Sequence, residues 1–86
     1  MRVRIPTPLR SYTAQESAVE ADGATLDELL TDLDHRFPGL RFRVVDEQGR
    51  LRQHMKVFVE QEPVRDLSMS LVGIDEVTLM QALSGG

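Results

Sequence analysis

The chain has 86 residues, a net charge of −4, 41% hydrophobic and 28% charged residues and no cysteine, the balance of one small globular domain. That excludes a basic stripe for nucleic acid, disulfides, thiolate metal sites and Cys nucleophiles, and any apolar run near the ~20 residues of a membrane span. Met1-Arg2-Val3-Arg4-Ile5 has no apolar signal core behind it, so a cytoplasmic protein is expected.

Residues 2–9 begin with alternation, Val3 and Ile5 on one face and Arg2 and Arg4 on the other, which predicts a strand. Pro6 and Pro8 cannot donate to a ladder, so that strand should be half-paired there. Residues 10–15 are polar and read as a hairpin loop. Residues 17–21 alternate again, with Val19 inward. Thr25 is the expected N-cap of the one clear helix, and Glu28 completes a capping box. Leu26, Leu29, Leu30, Leu33 and Phe37 form one apolar stripe at helical spacing, and Pro38 ends the helix near Phe37. Glu28, Asp32 and Asp34 read as a solvated helix face rather than a metal site, since no His or second segment converges on them.

Residues 40–45 are expected to form a short strand or an irregular crossing, and residues 46–49 a turn with Gly49 at positive φ. Residues 54–60 make the strongest strand. Met55, Val57 and Val59 face the helix; His54, Lys56, Phe58 and Glu60 face outward. Glu60-Gln61 lacks the Asn and Gly of a two-residue type I′ turn, so a longer or different turn is expected there. In the last strand Val77 and Leu79 point inward and Thr78 and Met80 outward, and Gln81 suggests a flexible exit. His35 and His54 have no catalytic partner at motif spacing and read as surface residues. With no phosphate-cradling glycine loop and no Ser-His-Asp arrangement, no catalytic residue is expected. The pattern is strand–strand–helix–strand–strand, an α+β domain with the helix across one face of a mixed sheet.

The chain ends Leu83-Ser84-Gly85-Gly86. Two glycines without Cβ atoms let the terminal backbone enter a narrow channel, and a carboxylate there can be activated as a mixed anhydride and attacked by sulfur or an amine. With the strand that precedes it, this tail resembles that of the MoaD/ThiS family of ubiquitin-like sulfur carriers. The segments Ile5-Pro6-Thr7-Pro8-Leu9-Arg10, Gly23-Ala24-Thr25-Leu26, Val57-Phe58-Val59, Val64-Arg65 and Asp75-Glu76-Val77-Thr78-Leu79 look like the first strand, helix entry and later strands of its members, nearest to the CysO/MoaD type.

The resemblance implies a β-grasp (ubiquitin-like) fold. A four- to five-stranded mixed sheet would carry one main helix, with first and last strands parallel at its centre. Residues 1–82 would form the domain and 83–86 a flexible tail. It implies a protein co-substrate and not an enzyme. A ubiquitin-activating-enzyme-like adenylyltransferase would use ATP to adenylate Gly86, a sulfur donor would convert it to a thiocarboxylate, and a sulfur-acceptor enzyme would consume it in making cysteine, molybdopterin or a related metabolite. Gly85 and Ser84 would thread the channel. Phe58, Met80 and Leu83 would form an apolar partner patch outside the core, rimmed by Glu60 and Glu62. No bound cofactor and no metal are implied. The alternative is a ubiquitin-like modifier joined through Gly86 to lysines.

Overall fold

Val3 is fully buried between exposed Arg2 and Arg4, the burial pattern of strand β1, Arg2–Arg4. In the computed structural model, which describes residues 1–82, that strand is shorter than its sequence suggests. From Thr7–Thr13 the chain is a 3-10 helix with Pro6 as its N-cap. The expected extension of the first strand to Leu9, and the hairpin loop over residues 10–15, are therefore replaced. Pro6 and Pro8 have φ near the helical value and no N–H to give a ladder, and Leu9, fully buried, supplies the anchor. Ala14 and Gln15 then take positive φ, 53° and 68°, turning the chain back into β2, Ala18–Glu20.

Helix α1, Leu26–Arg36, starts as the capping residues dictate. Thr25 is extended and its hydroxyl accepts from the Glu28 amide at 3.2 Å. The Glu28 carboxylate reaches back to the amide of Ala24, at 3.0 Å, one residue before the usual target of a capping box. Leu26, Leu29, Leu30 and Leu33 are buried, while Phe37 is half-buried at the C-cap.

Residues 40–44 form helix α2, Leu40–Val44, in place of the expected strand or irregular crossing. The alternation Arg41-Phe42-Arg43-Val44 favoured period two, but the buried residues are Leu40 and Val44, one helical turn apart. Gly39 opens the helix at φ +95°, and the Asp34 carboxylate accepts from the amides of Gly39 and Arg41 at 3.0 and 3.2 Å. The turn at residues 46–49 is as expected. The Asp46 carboxylate accepts from the amides of Gln48 and Arg50, and Gly49 sits at φ +78°.

Strands β3, Met55–Val59, and β4, Glu62–Val64, pair antiparallel with Val59 opposite Glu62. Their loop has two residues and is not type I′, since Glu60 alone has positive φ, 56°, so of the expected alternatives it is a different turn and not a longer one. Glu60 tolerates that conformation because both of its ends are tied down. Its amide donates to the Glu76 carbonyl at 3.0 Å, and its carboxylate accepts from the Asp75 amide at 3.2 Å. Strand β5, Glu76–Gln81, completes a five-stranded sheet of order β2-β1-β5-β3-β4. β1 and β5 run parallel and every other pair antiparallel. This is the β-grasp arrangement, with α1 and its leucines against the face carrying Val3, Met55, Val57, Val59, Val77 and Leu79. The β3–β5 pairing continues to Ala82, whose amide donates to the His54 carbonyl at 2.8 Å, and the flexible exit expected after Gln81 leads into residues 83–86, outside the described residues.

Candidate functional site: the outer sheet face and the root of the tail

β5 is the central strand, hydrogen-bonded to β1 on one side and β3 on the other. Its odd residues, Val77 and Leu79, fill the core; its even ones face out. The Glu60 amide meets the Glu76 carbonyl and the Ala82 amide meets the His54 carbonyl. The even-numbered residues of β3 and β5 are therefore the hydrogen-bonded pairs, and both sets project to the outer face.

On that face Lys56 stands opposite Met80, and Phe58 stands opposite Thr78 on one side and Pro63 on the other. Phe58 and Met80 are thus diagonal neighbours, at a spacing of about 7–8 Å between backbones, within reach of long side chains. Met80 is 47% exposed, among the most exposed large apolar residues described. Phe58 is half-buried rather than fully outward. The two predicted patch residues are brought together, but only Met80 stands free. Leu83, Ser84, Gly85 and Gly86, the other predicted site residues, lie outside the described residues.

The face is electrically polar along its length. Exposed Glu60 lies at one end with Glu76, which pairs with Arg4 at 3.1 Å, whereas Glu62, expected on the same rim, stands opposite core-facing Val59 and so projects to the helix side of the sheet. At the other end, where β5 runs out toward the tail, lie exposed His54 and Lys56, with Arg52 close by in sequence. Arg52 sits over the ring of Phe42, 4.6 Å from its centroid, and its Nε donates to the Phe42 carbonyl at 2.7 Å. Sequence reasoning missed this pair. Phe42, 56% exposed, lies near Arg52 only because residues 40–44 are helical, and the alternation of that segment pointed elsewhere.

Asp32 and Asp34 have structural employment. The Asp32 carboxylate accepts from the Asp22 amide at 2.8 Å and pairs with Arg36 at 2.9 Å, and the amide contact, more than the guanidinium, holds it below the ordinary carboxylate range. Asp34 caps α2. Among the described residues no group of three His, Cys, Asp or Glu side chains could hold a metal, and no helix is long and apolar enough to cross a membrane.

The model of the ThiS family matches residues 3–86 of the chain. The sulfur carrier protein CysO of Mycobacterium tuberculosis is 34% identical over 89 residues, covering 98% of this chain and 96% of that protein. Among solved structures, that of the Amycolatopsis orientalis BexX/CysO complex contains a chain that superposes with a TM-score of 0.90 at 38% identity, covering 99% of this chain and 98% of that one. SAMP1 from Haloferax volcanii superposes with a TM-score of 0.78 at 28% identity, covering 100% and 98%. The family match over almost every residue, together with the same sheet and helix in these relatives, establishes that this chain belongs to the ThiS family.

Proposed function

We propose that this protein is a sulfur carrier whose terminal Gly86 is activated and loaded with sulfur for donation in a biosynthetic pathway. The observation that carries the reading is the near full-length similarity to a sulfur carrier protein named CysO, in a chain that ends in Gly85-Gly86. The Gly86 carboxylate attacks the α-phosphate of ATP in a ubiquitin-activating-enzyme-like adenylyltransferase. Pyrophosphate leaves and an acyl adenylate forms. A sulfur donor then delivers sulfide to the carbonyl carbon, the C–S bond forms as AMP leaves, and the thiocarboxylate remains. Its sulfur is the nucleophile that an acceptor enzyme uses. The carrier contributes no catalytic residue and binds no cofactor; ATP belongs to the partner.

In this reading residues 1–82 are a rigid handle and 83–86 the tail that enters the partner. Four extended residues span about 13–14 Å, enough for Gly86 to reach an active site while the sheet stays on the partner's surface. Ser84 and Gly85 lack bulk that would obstruct a channel. Phe58, Met80 and Leu83 form the apolar anchor, where Met adapts its shape and Phe supplies area. Glu60 favours a basic partner surface through on-rate more than affinity. The likeness to SAMP1, described as a small archaeal modifier protein, supports a second use of the same tail, transfer of activated Gly86 to a lysine amine.

Deleting Gly86 tests the reading. Incubation with the cognate activating enzyme, ATP and a sulfur source is expected to exchange one terminal oxygen for sulfur in the full chain, seen by mass spectrometry, and not in the shortened one. The deletion leaves the circular dichroism spectrum unchanged. Sulfur found on an internal residue of the full chain would refute the mechanism.

A further inference from the structure

The chain has ten basic side chains, nine arginines and a single lysine, Lys56. Arginine cannot act as an acyl acceptor at ordinary pH because its guanidinium keeps its proton. The remaining amine is the α-amino group of Met1. Its ammonium lies 3.2 Å from Glu20 and 3.5 Å from Asp22, beside a side chain only 9% exposed. The hydrogen bond to Glu20 is the largest influence on it and raises its pKa. Lys56 is not held in this way. It is exposed, it enters none of the ion pairs among the described residues, and β3 holds it on the outer face. Its register position is opposite Met80 and two residues from Phe58.

We propose that Lys56 is an acyl-acceptor site for the activated C-terminus of a second copy of this chain, and that acylation there closes the outer face. The inference rests on the reading that Gly86 is activated. The Lys56 amine, having released its proton to solvent, attacks the Gly86 carbonyl carbon of the acyl adenylate. The C–N bond of an isopeptide forms, the bond to the adenylate oxygen breaks, and AMP departs.

One donor and one acceptor per chain allow only unbranched products. In each of them the two things a carrier needs are parted. The copy that donates its tail keeps an open Phe58/Met80 face but has no free carboxylate. The copy that accepts keeps its carboxylate but carries another domain on that face. A conjugated pair therefore contains no complete carrier, and coupling through Lys56 withdraws activated protein from the pathway.

The probe is the chain itself, prepared as a C-terminal thioester of 2-mercaptoethanesulfonate with Lys56→Arg, so that it can donate but not accept. Mixed with the unmodified chain at mildly alkaline pH, it is expected to give one dimer, with the linkage mapped to Lys56 by tandem mass spectrometry. Lys56→Arg in the acceptor as well is expected to cut dimer yield at least tenfold. Dimer formed at an undiminished rate with the Lys56→Arg acceptor, linked through Met1, would overturn the site. The purified Lys56-linked dimer is then given to the cognate activating enzyme. ATP–pyrophosphate exchange is expected to be at least tenfold below that of the monomer, and exchange at the monomer's rate would overturn closure of the face. If the monomer itself supports no exchange, the activation reading fails, while mapping of the linkage still decides the acceptor site.

Discussion

Phe58 and Met80 are neighbours on one face, yet their truncations are expected to behave differently, because the sheet buries one and leaves the other out. An aromatic side chain covers 150–250 Å² when fully buried, so Phe58, roughly two-thirds buried or more, removes about 100 Å² or more from water. At about 25 cal/mol per Å² that is roughly 2.5 kcal/mol, reduced to about 1.5–2 kcal/mol once compaction of the unfolded chain is allowed for. In a domain of this size each kcal/mol moves Tm by about 4–8 °C, so Phe58→Ala should lower Tm by roughly 6–16 °C. Met80, 47% exposed, has much less to lose, and Met80→Ala should cost under about 1 kcal/mol. For binding to the activating enzyme the two converge, each losing about 1–3 kcal/mol, or roughly 5- to 150-fold in Kd, if both anchor the partner. Titration calorimetry well below the lowest Tm, paired with thermal melts, separates the two effects. A double alanine variant that binds like the parent would eliminate the patch. A Met80→Ala variant that loses as much stability as Phe58→Ala would mean that the faces of β5 are assigned the wrong way round.

At Gly23 an added Cβ would lie 2.3 Å from the Leu29 nitrogen and 2.7 Å from the Glu28 carbonyl carbon, backbone of α1 that cannot swing aside. Gly23→Ala should therefore cost about 1–3 kcal/mol or more in a urea melt. Gly73→Ala faces open space and pays mainly for φ +80°, about 1–2 kcal/mol; a larger loss at Gly73 than at Gly23 would refute the close approach. Asp32, Asp46 and Asp66 have pKa values held below their ordinary 3.8, principally by the Asp22 amide, the Arg50 amide and the Ser68 hydroxyl respectively. A depressed carboxylate stabilises the fold above its unfolded pKa and loses that contribution as pH falls through the folded one. Stability should therefore fall below about pH 4, and Asp46→Asn should flatten the slope of Tm against pH there; an unchanged slope would count against the Asp46 turn as drawn.

The parts of the fold legible in the sequence are those where one local rule acts alone. The leucine stripe of α1 has a single periodicity, a hydroxyl at its start and a proline just past its end, and all three agree. β3 alternates without exception from Met55 to Val59. The misread segments are those where two rules compete. Val3 and Ile5 argue for a strand running through residue 9, but Pro6 and Pro8 remove the donors, and the buried Leu9 is satisfied equally well by a 3-10 turn. Residues 40–44 alternate by eye, yet Leu40 and Val44 are the pair that the core takes, and the deciding contact is the Asp34 carboxylate, which only a folded α1 can bring to the amide of Gly39. At Glu60 the turn is held by Asp75 and Glu76, fifteen and sixteen residues further on, so no local propensity could announce it.

The site divides along the same line. Alternation alone placed Met80 and Phe58 on one face, and the register across β3 and β5 makes them diagonal neighbours. How deeply Phe58 sinks is a property of both flanking strands, with Thr78 and Pro63 on either side of it, and no single stretch of sequence contains that information. The role of Lys56 is of this kind as well. Its solitude among ten basic residues can be counted in the sequence, but its consequence depends on register. Opposite Met80 it shares a surface with the residues that would hold a partner. On the far side of the domain, acylation of the same lysine would leave that surface open. In the proposed reading the sheet therefore couples two events that the sequence lists separately, engagement of the outer face and acylation of the single lysine, and whichever came first would exclude the other.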